Sequence, residues 1–301
     1  MSTTAPIILF VYNRPEHTRK TIESLQRNVN ANNAELFIYS DGAKTEDIEK
    51  VRDVRNYIHS VKGFKNVNII ERKENTGLAV SVISGVTEVI NEYKQAIVLE
   101  DDMLCSRNFL LYMNNALEMF AETKNIFSIS GYTYPLTFPA YYEDNIYLAP
   151  RASSWGWATW KDRWDKVDWE ISDFNDFIKD KSAVKKFNSG GEDLTRMLKN
   201  QMNGKIDSWA IRWSYAHFKN NAYCVFPVKS KIQNIGMDSS GVHSVTTDKF
   251  YVDLDLSNTE EILNANIQPD KNILESFRKF HQRKLWDRIY WRIKRGFKIR
   301  N

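Results

Sequence analysis

Ala96-Ile97-Val98-Leu99 runs straight into Glu100-Asp101-Asp102. The apolar run reads as a buried strand, and three consecutive carboxylates at its end are costly. Each resists losing water, and each repels its neighbours. A divalent cation removes that cost, and Mg²⁺ and Mn²⁺ prefer oxygen ligands. Such cations usually arrive with a phosphate-bearing substrate. The competing reading is a helix beginning near Ser106 whose N-terminus the acids favour electrostatically.

The chain around this stretch alternates strands with helices. Residues 7–12, IILFVY, read as a buried strand, and Asn13-Arg14-Pro15-Glu16 as a turn into a helix reaching about Arg27. Leu36–Tyr39 is a second strand, ending at Ser40-Asp41-Gly42, with a helix from about Thr45 to Ser60. Val67–Ile70 is a third, and Asn75-Thr76-Gly77 turns into a helix from Leu78 to Tyr93. Ala96–Leu99 is the fourth strand, followed by a helix from Ser106 to about Glu122, and Ile126–Ile129 is the fifth. This order implies an α/β fold with a doubly wound, mostly parallel sheet flanked by helices. Ligands bind such sheets outside the carboxyl ends of the strands, where Asn13, Asp41, Asn75 and Asp101 all fall. Beyond residue 130 the alternation stops. Gly131–Trp169 is expected to be irregular, with helices near Phe174–Phe187, Glu192–Asn203 and Asp207–Lys219, a strand at Tyr223–Val228, and a polar loop from Gly236 to Val245.

The 301 residues suit one large domain. Nine tryptophans are many for a simple doubly wound domain, and aromatic faces often line carbohydrate sites. Cys105 and Cys224 make neither a disulfide framework nor a zinc site, which fits a reducing cytoplasm. No secretory leader is visible, and no stretch approaches the roughly 18 apolar residues of a membrane span. The net charge of +4 conceals an asymmetry: Lys271–Asn301 carries eleven basic and two acidic side chains, so the rest is net acidic. Leu285, Ile289, Ile293 and Phe297 recur every fourth residue, beside Trp286 and Tyr290. That pattern is a basic amphipathic helix suited to an anionic membrane surface. No nucleic-acid-binding module is present.

Four strand-end pieces together resemble the GT-A fold of nucleotide-sugar-dependent glycosyltransferases: Val11-Tyr12-Asn13-Arg14-Pro15, Tyr39-Ser40-Asp41-Gly42, Glu74-Asn75-Thr76-Gly77-Leu78 and Val98-Leu99-Glu100-Asp101-Asp102. The last looks like that fold's DxD-type metal motif. Leu99–Phe109 and Trp155-Gly156-Trp157 are similar to segments of the N-acetylglucosaminyltransferase I family. Ser154–Trp160, Ile206-Asp207-Ser208-Trp209 and Ser240-Gly241-Val242-His243 resemble bacterial transferases that build surface polysaccharides.

The resemblance implies an inverting, metal-dependent glycosyltransferase. It would move a sugar from a nucleotide diphosphate, UDP above all, to a sugar hydroxyl of a growing capsule, lipopolysaccharide or O-antigen glycan. Mn²⁺ or Mg²⁺ would sit on Asp102 and His243. Asp101 would reach the ribose or a metal-bound water, and Glu100 a hydroxyl of the donor sugar. Asn13 and Arg14 would hold the base or phosphates, and Asp41-Gly42 the nucleobase or ribose edge. Asn75, Gly77 and Leu78 complete the donor side. Trp155, Gly156 and Trp157 would meet the acceptor or a sugar face. Asp207 is the candidate general base, as a carboxylate within reach of a sugar hydroxyl removes its proton while the new bond forms. Its structural alternative is a helix N-cap, and Glu192 and Asp193 are its rivals.

The expected organisation is a catalytic domain over 1–250, split into a nucleotide-sugar half (1–130) and a mixed acceptor-side half (131–250). A C-terminal extension over 251–301 would carry the basic helix. The acceptor could be lipid-linked, and the protein would then work on the inner face of the cytoplasmic membrane. Other readings are a retaining transferase, a sugar nucleotidyltransferase and an inactive binding module. Tyr12-Asn13-Arg14-Pro15 lacks the glycine-rich loop expected of the nucleotidyltransferase.

Overall fold

A computed structural model of the chain describes residues 4–238, 247–259 and 261–282. The first half follows the expected alternation: β1 (Ile7–Val11), α1 (Pro15–Gln26), β2 (Glu35–Ser40), α2 (Ile48–Ile58), β3 (Asn66–Glu71), α3 (Leu78–Tyr93) and β4 (Gln95–Glu100). β1 pairs in parallel with β2 on one side and β4 on the other, and β2 carries β3. All five residues of β1 are buried, as a central strand covered on both faces requires. Pro15 opens α1 at its first turn, where the missing N–H costs nothing.

The acidic residues do not lead directly into a helix. Asp101 and Asp102 form a turn, β5 (Met103–Cys105) follows, and α4 (Phe109–Met119) begins three residues after the expected start. The side chains of α1 fix this turn. Thr21 Oγ1 donates to the Asp101 carbonyl at 2.8 Å and accepts from Met103 N–H at 3.1 Å, while Ser24 Oγ accepts from Cys105 N–H.

The second half comprises β6 (Ile126–Ser130), β7 (Ile146–Ala149), β8 (Trp157–Trp160), three short helices α5 (Lys161–Trp164), α6 (Phe174–Phe177) and α7 (Lys181–Phe187), then α8 (Leu194–Met202), α9 (Trp209–Lys219), β9 (Tyr223–Pro227), β10 (Ile232–Asn234) and α10 (Lys271–Phe280). The eight-stranded sheet runs β3-β2-β1-β4-β8-β6-β9-β7. The expectation of an irregular 131–169 segment is therefore corrected, since it supplies two strands. β8 inserts between β4 and β6, antiparallel to both. Its Trp-Ala-Thr-Trp sequence is buried on both faces and so shows no alternation to read. The single helix expected over Phe174–Phe187 is two, because Asp180 caps a new one by accepting from Ser182 and Ala183 N–H.

Two apolar layers sandwich the sheet. One holds α1, α2 and α4 against Ile7, Leu9, Ile38 and Leu99. The other holds α3 and α9 against Ile8, Phe10, Val98 and Trp157. Residues 251–259 and 261–282 pack on this body: α10 buries Ile273 and Phe277 against Tyr147 and Phe226. Lys231, fully buried, is held by Asp255 and, at 2.7 Å, by Glu261. Among the described residues no helix is long and apolar enough to cross a membrane. The basic helix expected around Leu285–Phe297 lies outside the described residues, as does His243.

Candidate active site

The carboxyl ends of β1, β2 and β4 open on a cavity of about 870 Å³. Its walls include Asn13, Arg14, Asp41, Asn75, Gly77, Leu78, Glu100, Asp101 and Asp102, with Trp155 and Asp207 from the second half. The cavity thus joins residues almost two hundred positions apart.

The two aspartates are buried, at 4% and 8% exposure, and share one cation. Arg14 Nη2 donates to Asp101 Oδ1 and, at 3.1 Å, to Asp102 Oδ2. Burial opposes the guanidinium's charge, but both carboxylates outweigh it and hold its pKa above the ordinary value. Burial, then the charges of Asp102 and Asp101, push the Glu100 carboxyl well above the usual carboxylate range. Asp102 Oδ1 is buried without a hydrogen-bond partner among the described residues. β10 pairs with β5 and carries Ile235, whose N–H donates to the Asp102 carbonyl at 2.9 Å. Gly236 then lies against the carboxylate: a Cβ there would come within 2.9 Å of both Asp102 Cγ and Arg14 Nη1.

An orphaned, buried carboxylate oxygen is a donor set that a hard divalent cation fits. Among the described residues no three His, Cys, Asp or Glu side chains converge as a metal cluster. The remaining ligands would come from substrate oxygens, water, or His243.

Asp41 lines the cavity, but its carboxylate is committed to the neighbouring loop. It accepts from the N–H groups of Gly42, Thr76 and Gly77 at 2.9–3.1 Å and from the Thr76 hydroxyl at 3.2 Å. A carboxylate offers about four acceptor sites, so little capacity is left for a base or ribose. Asn75 Nδ2 donates to the Gly42 carbonyl at 2.8 Å and closes the same loop. Gly42 itself does not line the cavity; a Cβ there would lie 2.5 Å from the Glu74 carbonyl oxygen, so the close approach of two backbones demands glycine. Gly77 has φ +81° and opens α3 toward the cavity. Asn13 Nδ2 and the Tyr12 hydroxyl both donate to Asp47, at 2.7 and 2.9 Å.

On the second-half wall, Ser208 caps α9, so Asp207 is released from the N-cap role. Its side chain is mostly exposed, and its Oδ1 accepts from Arg212 Nη2 at 2.9 Å. Asp193, a rival base, is bound by both terminal nitrogens of Arg151 at 2.8 and 2.9 Å. Neither Asp193 nor the exposed Glu192 lines the cavity. Among the tryptophans of the described residues, only Trp155 reaches it. Trp157 is 1% exposed and stacks between Trp164 and Trp209, with centroids at 5.7 and 5.0 Å, so its expected sugar contact is corrected to a core role. Trp160 is likewise core, its indole donating to the Leu117 carbonyl. Gly156 turns the chain into β8 at φ +56°.

Residues 7–171 match the model of glycosyl transferase family 2. The chain belongs to glycosyl transferase family 2. The family region takes in Asn13, Arg14, Asp41 and the whole acidic turn, and ends before Asp207. No curated protein sequence matches the chain. Solved structures similar to this family-2 chain include the mannosyltransferase PcManGT from Pyrobaculum calidifontis in complex with GDP-Man and Mn²⁺, at 11% identity over 54% of this chain and 46% of that one, with a TM-score of 0.38. Another is S. aureus TarS, at 10% identity over 75% and 36%, with a TM-score of 0.41. The TarS 1–349 structure gives 10% over 75% and 59%, with a TM-score of 0.40. The chain spans less than two thirds of each of these structures.

Several cavity residues escaped the reading by motif. Lys44, Ser81, Gln201, Asn234 and Met237 sit singly in loops, helices and the end of β10, with no pattern around them. Gly236 could have been suspected, since a glycine beside a strand often marks a close backbone approach.

Proposed function

We propose that the chain transfers a sugar from a nucleotide diphosphate to a sugar hydroxyl with inversion, and that UDP is the nucleotide. The observation that carries this reading is one cavity holding Asp102, with its orphaned oxygen, and Asp207, mostly exposed and released from capping. Asp102 would hold a Mn²⁺ or Mg²⁺ ion together with substrate oxygens. Such an ion, when bound, neutralises charge developing on the leaving diphosphate. Arg14 supplies a second positive charge on that side. The loop that Asp41 anchors, with Gly77 and Leu78, bounds the donor. Asp207 takes the proton of the attacking hydroxyl, with Arg212 holding its other oxygen in place. Trp155 offers a ring edge to a sugar, backed by Tyr132 and Phe250 at 4.5 and 5.6 Å. The growing glycan is of the bacterial surface type, and residues 283–301 dock the protein on an anionic, cytoplasmic membrane face.

Calorimetric titration with UDP, GDP and CDP, each with and without Mn²⁺, tests the donor side. Metal-dependent binding of UDP alone is expected; binding of none, by folded protein, rejects the reading. Asp207→Asn is expected to cut turnover by about 10²–10⁴ while sparing UDP affinity. Unchanged turnover would remove Asp207 from the mechanism. The anomeric configuration of the product separates inversion from retention.

A further inference from the structure

We propose that Arg14 is a resident counter-cation of the acidic turn, which a divalent ion must displace from Asp102, and that the diphosphate of the nucleotide draws it away. The inference rests on reading the cavity as a nucleotide-sugar site.

Arg14 Nη2 bonds to both aspartates, and the backbone of Gly236 closes over Asp102 and the guanidinium together. The side chain is therefore seated on the carboxylate that would ligate the ion. Two cations on one buried carboxylate repel each other strongly, because the cavity floor screens them little. Asp102 Oδ1 stands ready, but Oδ2 is already neutralised. A guanidinium matches a phosphate as well as it matches a carboxylate. A diphosphate entering the cavity offers Arg14 a new partner and leaves Asp102 with charge to spare. Metal and nucleotide then strengthen each other's binding by the same factor, as linkage requires. Arg14 faces the cavity from the N-cap position of α1, immediately before Pro15.

The test uses the full chain, first without nucleotide and then with UDP. Mn²⁺ is titrated into the parent, Arg14→Gln, Arg14→Lys and Asp102→Asn proteins, and free Mn²⁺ is read by its paramagnetic resonance signal. Arg14→Gln is expected to bind Mn²⁺ at least ten-fold more tightly than the parent, and its melting temperature to rise more on adding Mn²⁺. UDP in the presence of EDTA is expected to bind Arg14→Gln more weakly than the parent. Arg14→Lys keeps the charge but loses the fork, so its Mn²⁺ affinity falls between the two and carries the test if Arg14→Gln does not fold. Equal Mn²⁺ affinity in the Arg14 variants and the parent, with Asp102-dependent Mn²⁺ binding retained in the presence of UDP, overturns the proposal alone. Mn²⁺ binding that is indifferent to Asp102→Asn overturns the site reading along with it.

Discussion

Gly236 shows how one missing methyl group shapes the site. Its backbone packs where a Cβ would press on Asp102 and Arg14 at once. Until a diphosphate offers Arg14 another partner, carboxylate and guanidinium hold each other in place. Gly236→Ala is therefore expected to weaken Mn²⁺-dependent UDP binding by at least ten-fold while the melting temperature changes by only a few degrees. Titration and thermal melting check this together, and unchanged affinity would mean that the turn relaxes freely. That the acidic triplet, Asn13, Arg14 and Asp207 line one cavity was legible because their residue types stand at strand or helix ends. The role of Asp41 was not, because an Asp-Gly turn looks the same whether its carboxylate faces a ligand or, as here, ties down the next loop. The separation of Trp155 from Trp157 was hidden for a similar reason. Residues two apart would share a face of a strand, but Trp155 stands before β8, and Gly156 at φ +56° turns the chain between the two rings.

At the scale of elements, β8 and α9 share an aromatic layer. Trp157 stacks on Trp164 and Trp209, and Trp213 lies against Phe127 and His217. Removing a fully buried indole leaves a cavity that its rigid neighbours cannot fill. Trp157→Ala is expected to cost about 3–5 kcal/mol of stability. Trp155→Ala, half-buried at the cavity, is expected to cost distinctly less and to act on acceptor use instead. Chemical denaturation of both variants, beside transfer kinetics for the second, checks the contrast. The parallel elements β1–β4 were readable because their continuous apolar runs alternate with amphipathic helices. The antiparallel insertions were not, since β7 and β8 are four residues each and buried throughout. A short run of that kind carries no period of its own.

The whole molecule holds an ionisable group deep in its core. His217 on α9 is fully buried, with Nδ1 at 2.9 Å from the Trp213 carbonyl and Nε2 at 2.8 Å from Ser128 Oγ. A carbonyl can only accept, so Nδ1 carries the proton and Nε2 accepts from the serine hydroxyl. Burial pushes the imidazole down to about 4. In the unfolded chain it titrates near 6.5. The unfolded state therefore binds the extra proton first, and the contribution of His217 to stability, complete above pH 6.5, is lost as pH falls toward 4. The loss amounts to about 3 kcal/mol. Urea unfolding at pH 7, 5.5 and 4.5 is expected to show a steeper decline for the parent than for His217→Gln; parallel declines would refute the assignment.

The antiparallel seat of β8 also governs the order in which the protein can be made. β4 emerges during synthesis roughly sixty residues ahead of the strand that covers its outer edge, and β6 emerges in between. At elongation rates of about 5–20 residues per second, the nascent chain carries Ala96-Ile97-Val98 as an open backbone edge for about 3–12 s. During that time β6 is the wrong neighbour within reach, and another nascent chain is the dangerous one. Yield of folded protein is thus expected to depend on how quickly the ribosome traverses residues 101–156.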